Sequence, residues 1–260
     1  MLFRSGDTLV IESTYGDRVH DDGDHSAALA DVIRRTAARG GMVIMPAFAV
    51  GRAQALLYQI WLLKQARRIP DLPVFLDSPM AIDTTAIYQR HANEHRLSAE
   101  ECKHMAHVAR FCRTADQSRE LNQLTYPAII VSASGMATGG RILHHLLNHL
   151  GDRRCSVVFA GFQAGGTRGA RLVAGERSIR IFGQDVSVNA EIVSLPGMSA
   201  HADAGQIIDW LKTLERPPQQ VYITHGEHDA ADALRQRIQQ ELGWRARVPM
   251  MGDRVEVPLG

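Results

Sequence analysis

Cysteine is scarce. Cys102, Cys112 and Cys155 make an odd count of three, with no CxxC pair. That excludes a disulfide framework and a cysteine-built zinc site, and it fits reduced thiols in a cytoplasmic setting. No apolar run approaches the ~18 residues of a membrane span, so no membrane partner is expected. The opening MLFRSGD has a charge but lacks the apolar stretch of a signal peptide. Net charge is nearly absent as well. Twenty-nine Lys and Arg stand against 28 Asp and Glu, leaving +1. No bulk positive field announces nucleic acid, so any polyanion site must be local. There is no repeat, low-complexity tract or charge block, which excludes a fibre, a coiled coil and a disordered tail. What the chain has in excess is histidine, twelve in 260 residues.

Strand and helix patterns alternate along the sequence. Short apolar runs at 8–12, 42–48, 73–78, 128–134, 156–162 and 220–226 read as buried strands. Between them, 26–39, 51–67, 80–90, 142–150, 203–214 and 230–242 carry helical periodicity. Leu29, Val32, Ile33 and Thr36 fall on one face of the first helix. The polar, His-rich stretch 91–126 reads as helical in pieces, 179–195 as a hairpin and 245–257 as a closing pair of short strands. Such alternation predicts an α/β fold with a mostly parallel core. In such folds chemistry gathers beyond the carboxyl ends of the strands. Nearly every unusual polar cluster here falls just past a predicted strand end.

Taken singly, each cluster has a plain reading. SAHAD (199–203) opens a helix that Ser199 or Asp203 could cap. His201 there could move a proton near neutral pH, although a surface histidine is the readier reading. THGE (224–227) places His225 at a strand end, where a ring nitrogen can ligate metal and Glu227 could orient a neighbouring imidazole. Again a solvent-facing histidine competes. Glu12, last in its strand, either caps the next turn or hydrogen-bonds an imidazole. Gly51 and Arg52 stand at a helix mouth suited to an anion, or to a tight turn. SASGMATGGR (132–141), with Ser132, Ser134, Gly135, Thr138, Gly139, Gly140 and Arg141, could cradle a phosphate. It is neither a Walker loop nor a GxSxG elbow. GFQAGGTRG (161–169), with Gly166 and Thr167, is a second loop of this kind. Two such loops and a helix mouth suggest a substrate carrying several phosphates, such as RNA. The other histidines, including the i, i+4 pairs His91/His95 and His145/His149, read as solvated helix faces.

In combination these motifs are specific. ESTYGDR, PAFAVGRAQ, LDSPMA, SASGMATGGR, GFQAGGTRG, SAHAD and THGE, in this order and spacing, closely resemble the β-CASP branch of the metallo-β-lactamase superfamily, in particular its RNA-processing members. The resemblance covers the chain from residue 8 to the end. It implies a parallel α/β β-CASP domain joined to the C-terminal part of a metallo-β-lactamase αββα domain. The expected boundaries are 1–16 for the end of an N-terminal lactamase segment, 17–198 for the β-CASP domain and 199–260 for the C-terminal lactamase segment. Glu12 matches the family's motif A acid, His201 the motif B histidine that donates a proton or contacts phosphate, and His225 the motif C histidine that ligates zinc. A histidine rather than valine at that last position resembles the RNA-acting members. The implied activity is hydrolysis of RNA phosphodiesters with two zinc ions, single-stranded RNA being the partner.

The sequence departs from the family in one large respect. The HxHxDH metal motif occurs nowhere in the 260 residues. The expectation is therefore a chain lacking an N-terminal metallo-β-lactamase segment, inactive alone, holding no zinc stably and inclined to self-associate as a homodimer through the face left open. A non-catalytic RNA-binding scaffold of the same family is the competing reading. A small-molecule phosphoesterase is the third, disfavoured by the glycine loops.

Overall fold

The computed structural model describes residues 6–21 and 23–257. The chain divides into two compact units, with breaks between residues 22 and 23 and between 198 and 199. The first unit begins with β1 (Thr8–Glu12). The second holds α1 (His25–Ala38), β2 (Val43–Pro46), α2 (Arg52–Gln65), β3 (Val74–Asp77), α3 (Pro79–Arg90), α4 (Ala99–His107), β4 (Arg110–Phe111), α5 (Ala115–Leu121), β5 (Ile129–Ser132), α6 (Ile142–His149), β6 (Ser156–Ala160), α7 (Arg168–Val173), β7 (Ser178–Ile181), β8 (Gln184–Ser187) and β9 (Glu191–Leu195). The chain then returns to the first unit with α8 (Ala204–Leu211), β10 (Gln220–Thr224), α9 (His228–Leu242) and β11 (Ala246–Arg247). Among the described residues no helix is long and apolar enough to cross a membrane.

The larger unit is an α/β sandwich around a six-stranded parallel sheet, in the order β4-β3-β5-β2-β6-β9. Its central strands VIMP, VFLD, IIVS and SVVFA are buried along their whole length. Such strands need helices on both faces. One face packs Val43, Met45, Leu76 and Val131 against Leu29, Leu57, Ile60 and Ile82. The other packs Ile44, Phe75, Ile130 and Phe159 against Leu121, Ile142, Leu146 and Leu172. Leu29, Val32, Ile33 and Thr36 are all buried, as the helical spacing requires. Helix starts follow local chemistry. Ser78 caps α3 with Pro79 at its first position, and capping boxes open α4 (Ser98, Glu101), α5 (Thr114, Gln117) and α8 (Asp203, Gln206).

The smaller unit is a three-stranded parallel sheet, β1-β10-β11, with α8 and α9. Strand β1 alternates: Leu9 and Ile11 are buried with Ile207, Ile208, Val221 and Leu234, while Val10 is exposed.

Three expectations need correction. The hairpin over 179–195 is shorter. β7 and β8 pair antiparallel around Phe182 and Gly183, and β9 leaves them to run parallel beside β6. Alternation alone does not say which partner a strand takes, and here Glu191 is claimed by helix α1. It accepts from Arg35 at 2.6 Å and from Arg39 at 2.7 Å, and Arg35 above all pulls its carboxyl down to about 2. The closing strand pair reduces to β11. Finally, His145 and His149 are not on a solvated face. They are 0% and 8% exposed.

Candidate active site

Strands β1 and β10 lie side by side in parallel, with Glu12 opposite Thr224. Everything that follows them therefore emerges at one sheet edge. ESTYG leaves the first strand and THGE the second. The two turns lock together: Ser13 Oγ donates to the Thr224 carbonyl at 2.9 Å, and Thr224 Oγ1 donates to the Ile11 carbonyl at 3.3 Å. Gly226 is required here because a Cβ would collide with the Ser13 hydroxyl and carbonyl oxygens. His225, just before it, adopts the left-handed conformation at φ 52°, a strained state for a residue with a Cβ. Gly226→Ala is expected to cost about 1–3 kcal/mol by overpacking, seen as a lower urea midpoint.

The third part is the SAHAD turn. Asp203 caps α8 through Gln206 N–H at 2.8 Å and also accepts the His20 N–H at 2.8 Å. The His20 ring donates its Nε2–H to the His201 carbonyl at 2.9 Å, and Ser199 Oγ accepts the His201 N–H at 3.2 Å. Burial works to raise the Asp203 carboxyl, but the N–H groups of Gln206 and His20 hold it below its usual value. The turn is thus fixed from both sides, and it carries His201 to the strand ends.

Glu12, His201 and His225 converge there. Their candidate ligand atoms all lie within 4.8 Å of one another. Glu12 Oε2 is 2.8 Å from His201 Nδ1, and the two imidazole centroids are 5.3 Å apart at 29°. Glu12 does both things its position offered, accepting also the Thr14 N–H at 3.2 Å. Burial alone would raise its carboxyl; the hydrogen bonds from Thr14 and His201 outweigh that and hold it below the ordinary glutamate value. An ionised carboxylate only accepts. His201 Nδ1 therefore carries a proton, and in the neutral ring Nε2 carries the lone pair. Two imidazoles and a carboxylate form a donor set that suits zinc chemically. Among the described residues this is the one such group of histidine, cysteine and acidic side chains. Two residues of this cluster were not legible as site residues. Thr14 is 3% exposed beneath the two rings, and His20 reads in the sequence as one more solvated histidine. His228 is exposed, and Glu227 stands at the N-cap of α9.

The glycine loops belong to the larger unit. They follow β2, β5 and β6, neighbouring parallel strands, so all three leave the same sheet edge. The loop after β5 and the loop after β6 are joined. Gly169 N–H donates to the Met136 carbonyl at 3.1 Å, and Gln163 Nε2 to the Gly135 carbonyl at 3.1 Å. Gly135 has no room for a Cβ, because the Phe48 ring lies against it. A Cβ on Gly139 or Gly166 would meet open space.

Several predicted phosphate contacts are committed elsewhere. Ser132 is 1% exposed and donates to the Asp77 carbonyl at 2.8 Å. Arg141 reaches inward to Asp77 Oδ1 and to the carbonyls of Cys112 and Arg113, each at 2.8 Å. Thr167 caps α7. Ser134 Oγ accepts the Thr138 N–H at 3.1 Å. At the α2 mouth, with Gly51 at φ 78°, the Arg52 and Ala53 N–H groups are taken by the Val50 and Phe48 carbonyls. Short hydroxyls and one inward-turned guanidinium satisfy the loop itself, a choice that composition does not reveal. Backbone at Gly139, Gly140 and Gly166 remains the approachable part.

Comparison with known proteins agrees with this architecture. The Beta-Casp domain model matches residues 53–172 and the Zn-dependent metallo-hydrolase RNA specificity domain model matches 185–249. Ribonuclease TTHA0252 of Thermus thermophilus is 35% identical over 238 residues, covering 88% of this chain and 53% of that protein. The transcription termination factors FttA of Methanocaldococcus jannaschii and Pyrococcus abyssi are each 30% identical, covering 96% of this chain and 42% and 41% of their own lengths. The chain thus spans about half the length, or somewhat less, of these curated relatives. With both models in register on the fold just described, the chain belongs to the β-CASP family of the metallo-β-lactamase superfamily.

Proposed function

We propose that Glu12, His201 and His225 form part of a zinc-dependent centre that hydrolyses RNA phosphodiester bonds. The observation that carries this reading is their convergence at one sheet edge in a chain of this family. His225 would hold zinc through Nε2. A bound zinc ion supplies Lewis acidity at phosphate and a nucleophile at neutral pH. His201, steadied at Nδ1 by Glu12, presents Nε2 to the scissile group. In its protonated form it gives that proton to the leaving ribose oxygen, while the Glu12 carboxylate stabilises the imidazolium. The open backbone at Gly139, Gly140 and Gly166, in the larger unit, would contact phosphates of single-stranded RNA. The family model named for RNA specificity and the ribonuclease relative support RNA as the polymer.

In this division of roles His225 is a single zinc ligand, whereas a catalytic zinc uses about three protein ligands. We therefore propose that this chain alone binds RNA but hydrolyses it poorly or not at all. The test joins this chain to the part of the Thermus ribonuclease that it does not match, and measures zinc content and RNA cleavage. His201→Ala is expected to lower turnover by roughly 10²–10⁴-fold with zinc content unchanged. His225→Ala is expected to lower zinc occupancy. Equal zinc loss in both variants ends this division of roles. RNA that is bound yet uncut by the zinc-loaded chimera favours the second reading, a non-catalytic RNA-binding scaffold.

A further inference from the structure

Thr14 lies under both imidazoles and touches every member of the cluster. Its hydroxyl is 3.3 Å from His201 Nδ1 and 3.3 Å from His225 Nδ1, and donates to the His225 carbonyl at 3.1 Å. Its backbone N–H goes to Glu12. A hydroxyl has one hydrogen to give and two lone pairs to receive with. That hydrogen faces two pure acceptors, the His225 carbonyl and the Glu12 carboxylate, so toward the two rings the oxygen can only accept. His225 Nδ1 must then carry the proton that meets it, which leaves the lone pair on Nε2.

We propose that Thr14 is the positioning residue that sets the tautomer of His225 and holds its left-handed backbone, so that Nε2 faces outward as a ligand. Metal-binding histidines are oriented in this way by the partner of their other nitrogen. The two rings are not equally dependent on it. His201 Nδ1 has the Glu12 carboxylate at 2.8 Å, a shorter, charge-assisted bond. For His225 Nδ1 the hydroxyl is the short contact in the cluster. Loss of the hydroxyl therefore releases His225 and spares His201. The link to ligation rests on the zinc reading above; the tautomer assignment does not.

The test reads the tautomer in this chain, from imidazole ¹⁵N shifts, and zinc affinity in the chimera described above, by titration with zinc alone. Thr14→Val keeps the shape and the backbone N–H to Glu12 but removes the hydroxyl; Thr14→Ser restores it. The expected result is His225 moving toward the Nε2–H form in Thr14→Val, His201 unmoved, and zinc affinity lower by about 10–100-fold. Thr14→Ser recovers both. A His225 tautomer unchanged in Thr14→Val overturns the proposal, as does Thr14→Ser behaving like Thr14→Val. If the chimera takes up no zinc while the tautomer still responds to Thr14→Val, the metal reading falls and the Thr14 assignment stands.

Discussion

Asp77→Ala is expected to destabilise the larger unit by about 3–5 kcal/mol, the range for breaking a buried ion pair from one side. The carboxylate is wholly buried at the end of β3. Oδ1 accepts from Arg141 at 2.8 Å; Oδ2 accepts from His145 at 2.7 Å and from Ser118 at 2.5 Å. His145 is itself fully buried and passes its other nitrogen to Asn122 Oδ1 at 2.8 Å. Burial pushes the Asp77 carboxyl up, but His145, Ser118 and Arg141 together carry it below the usual aspartate value, so it is ionised in the fold. Removing it strands a buried imidazole and deprives a partly buried guanidinium of its counter-charge, and the cost lies in what is left behind rather than in the bonds lost. Urea unfolding should show the loss directly. Thermal unfolding should fall by roughly 6–20 °C for a unit of this size. Ser118→Ala, which leaves no charge unpaired, should cost only about 1 kcal/mol. Equal small losses in the two variants would refute the network as described. Arg141 belongs to the glycine loop after β5, so Asp77→Ala should also loosen that loop and, on the proposed function, weaken RNA binding.

That network shows where sequence reading stops. The strands that build the main sheet were legible because VIMP, VFLD, IIVS and SVVFA are apolar without alternation, the mark of a strand covered on both faces. The convergence of Glu12, His201 and His225 was legible through motif order, since ESTYG, SAHAD and THGE each follow or precede a clear element. Arg141 reads as a phosphate ligand in the sequence because a Gly-rich turn ending in arginine looks the same whether the side chain turns outward or inward. What turns it inward is Asp77, 64 residues away. His20 and Thr14 were missed for the same reason. Their partners lie 181 to 211 positions along the chain, and nothing local marks a histidine that supports another residue's carbonyl. Strand β9 reads as a hairpin strand in the sequence because period-two alternation is shared by a hairpin strand and a sheet edge. Beside its true partner β6, Glu191 is held by Arg35 on α1 and by Arg39 just past the helix.

His149 should set the onset of acid instability. It closes α6, a position where the helix dipole favours an imidazolium by at most ~2 kcal/mol. Burial opposes this and wins. With the charge of His145 adding to it, burial brings the ring down to about 4 from an ordinary 6.5, the weaker pull of Asp152 notwithstanding. Its Nε2 meets no hydrogen-bond partner among the described residues, so a proton placed there would be unsolvated. A histidine whose folded value lies below its unfolded one stabilises the fold fully above pH 6.5. That contribution disappears as pH falls from 6.5 to about 4. At 1.36 kcal/mol per unit the loss amounts to about 3 kcal/mol. Glu191, depressed from 4.5 to about 2, adds its own loss only over that lower window, so the two legs separate on the pH axis. Stability measured by urea from pH 7.5 to 4.5 should therefore decline from near 6.5. His149→Gln, which cannot titrate, should flatten that decline while starting from a stability of its own. Parallel curves for the two proteins between pH 6.5 and 4.5 would show that the buried imidazole is not the group being protonated.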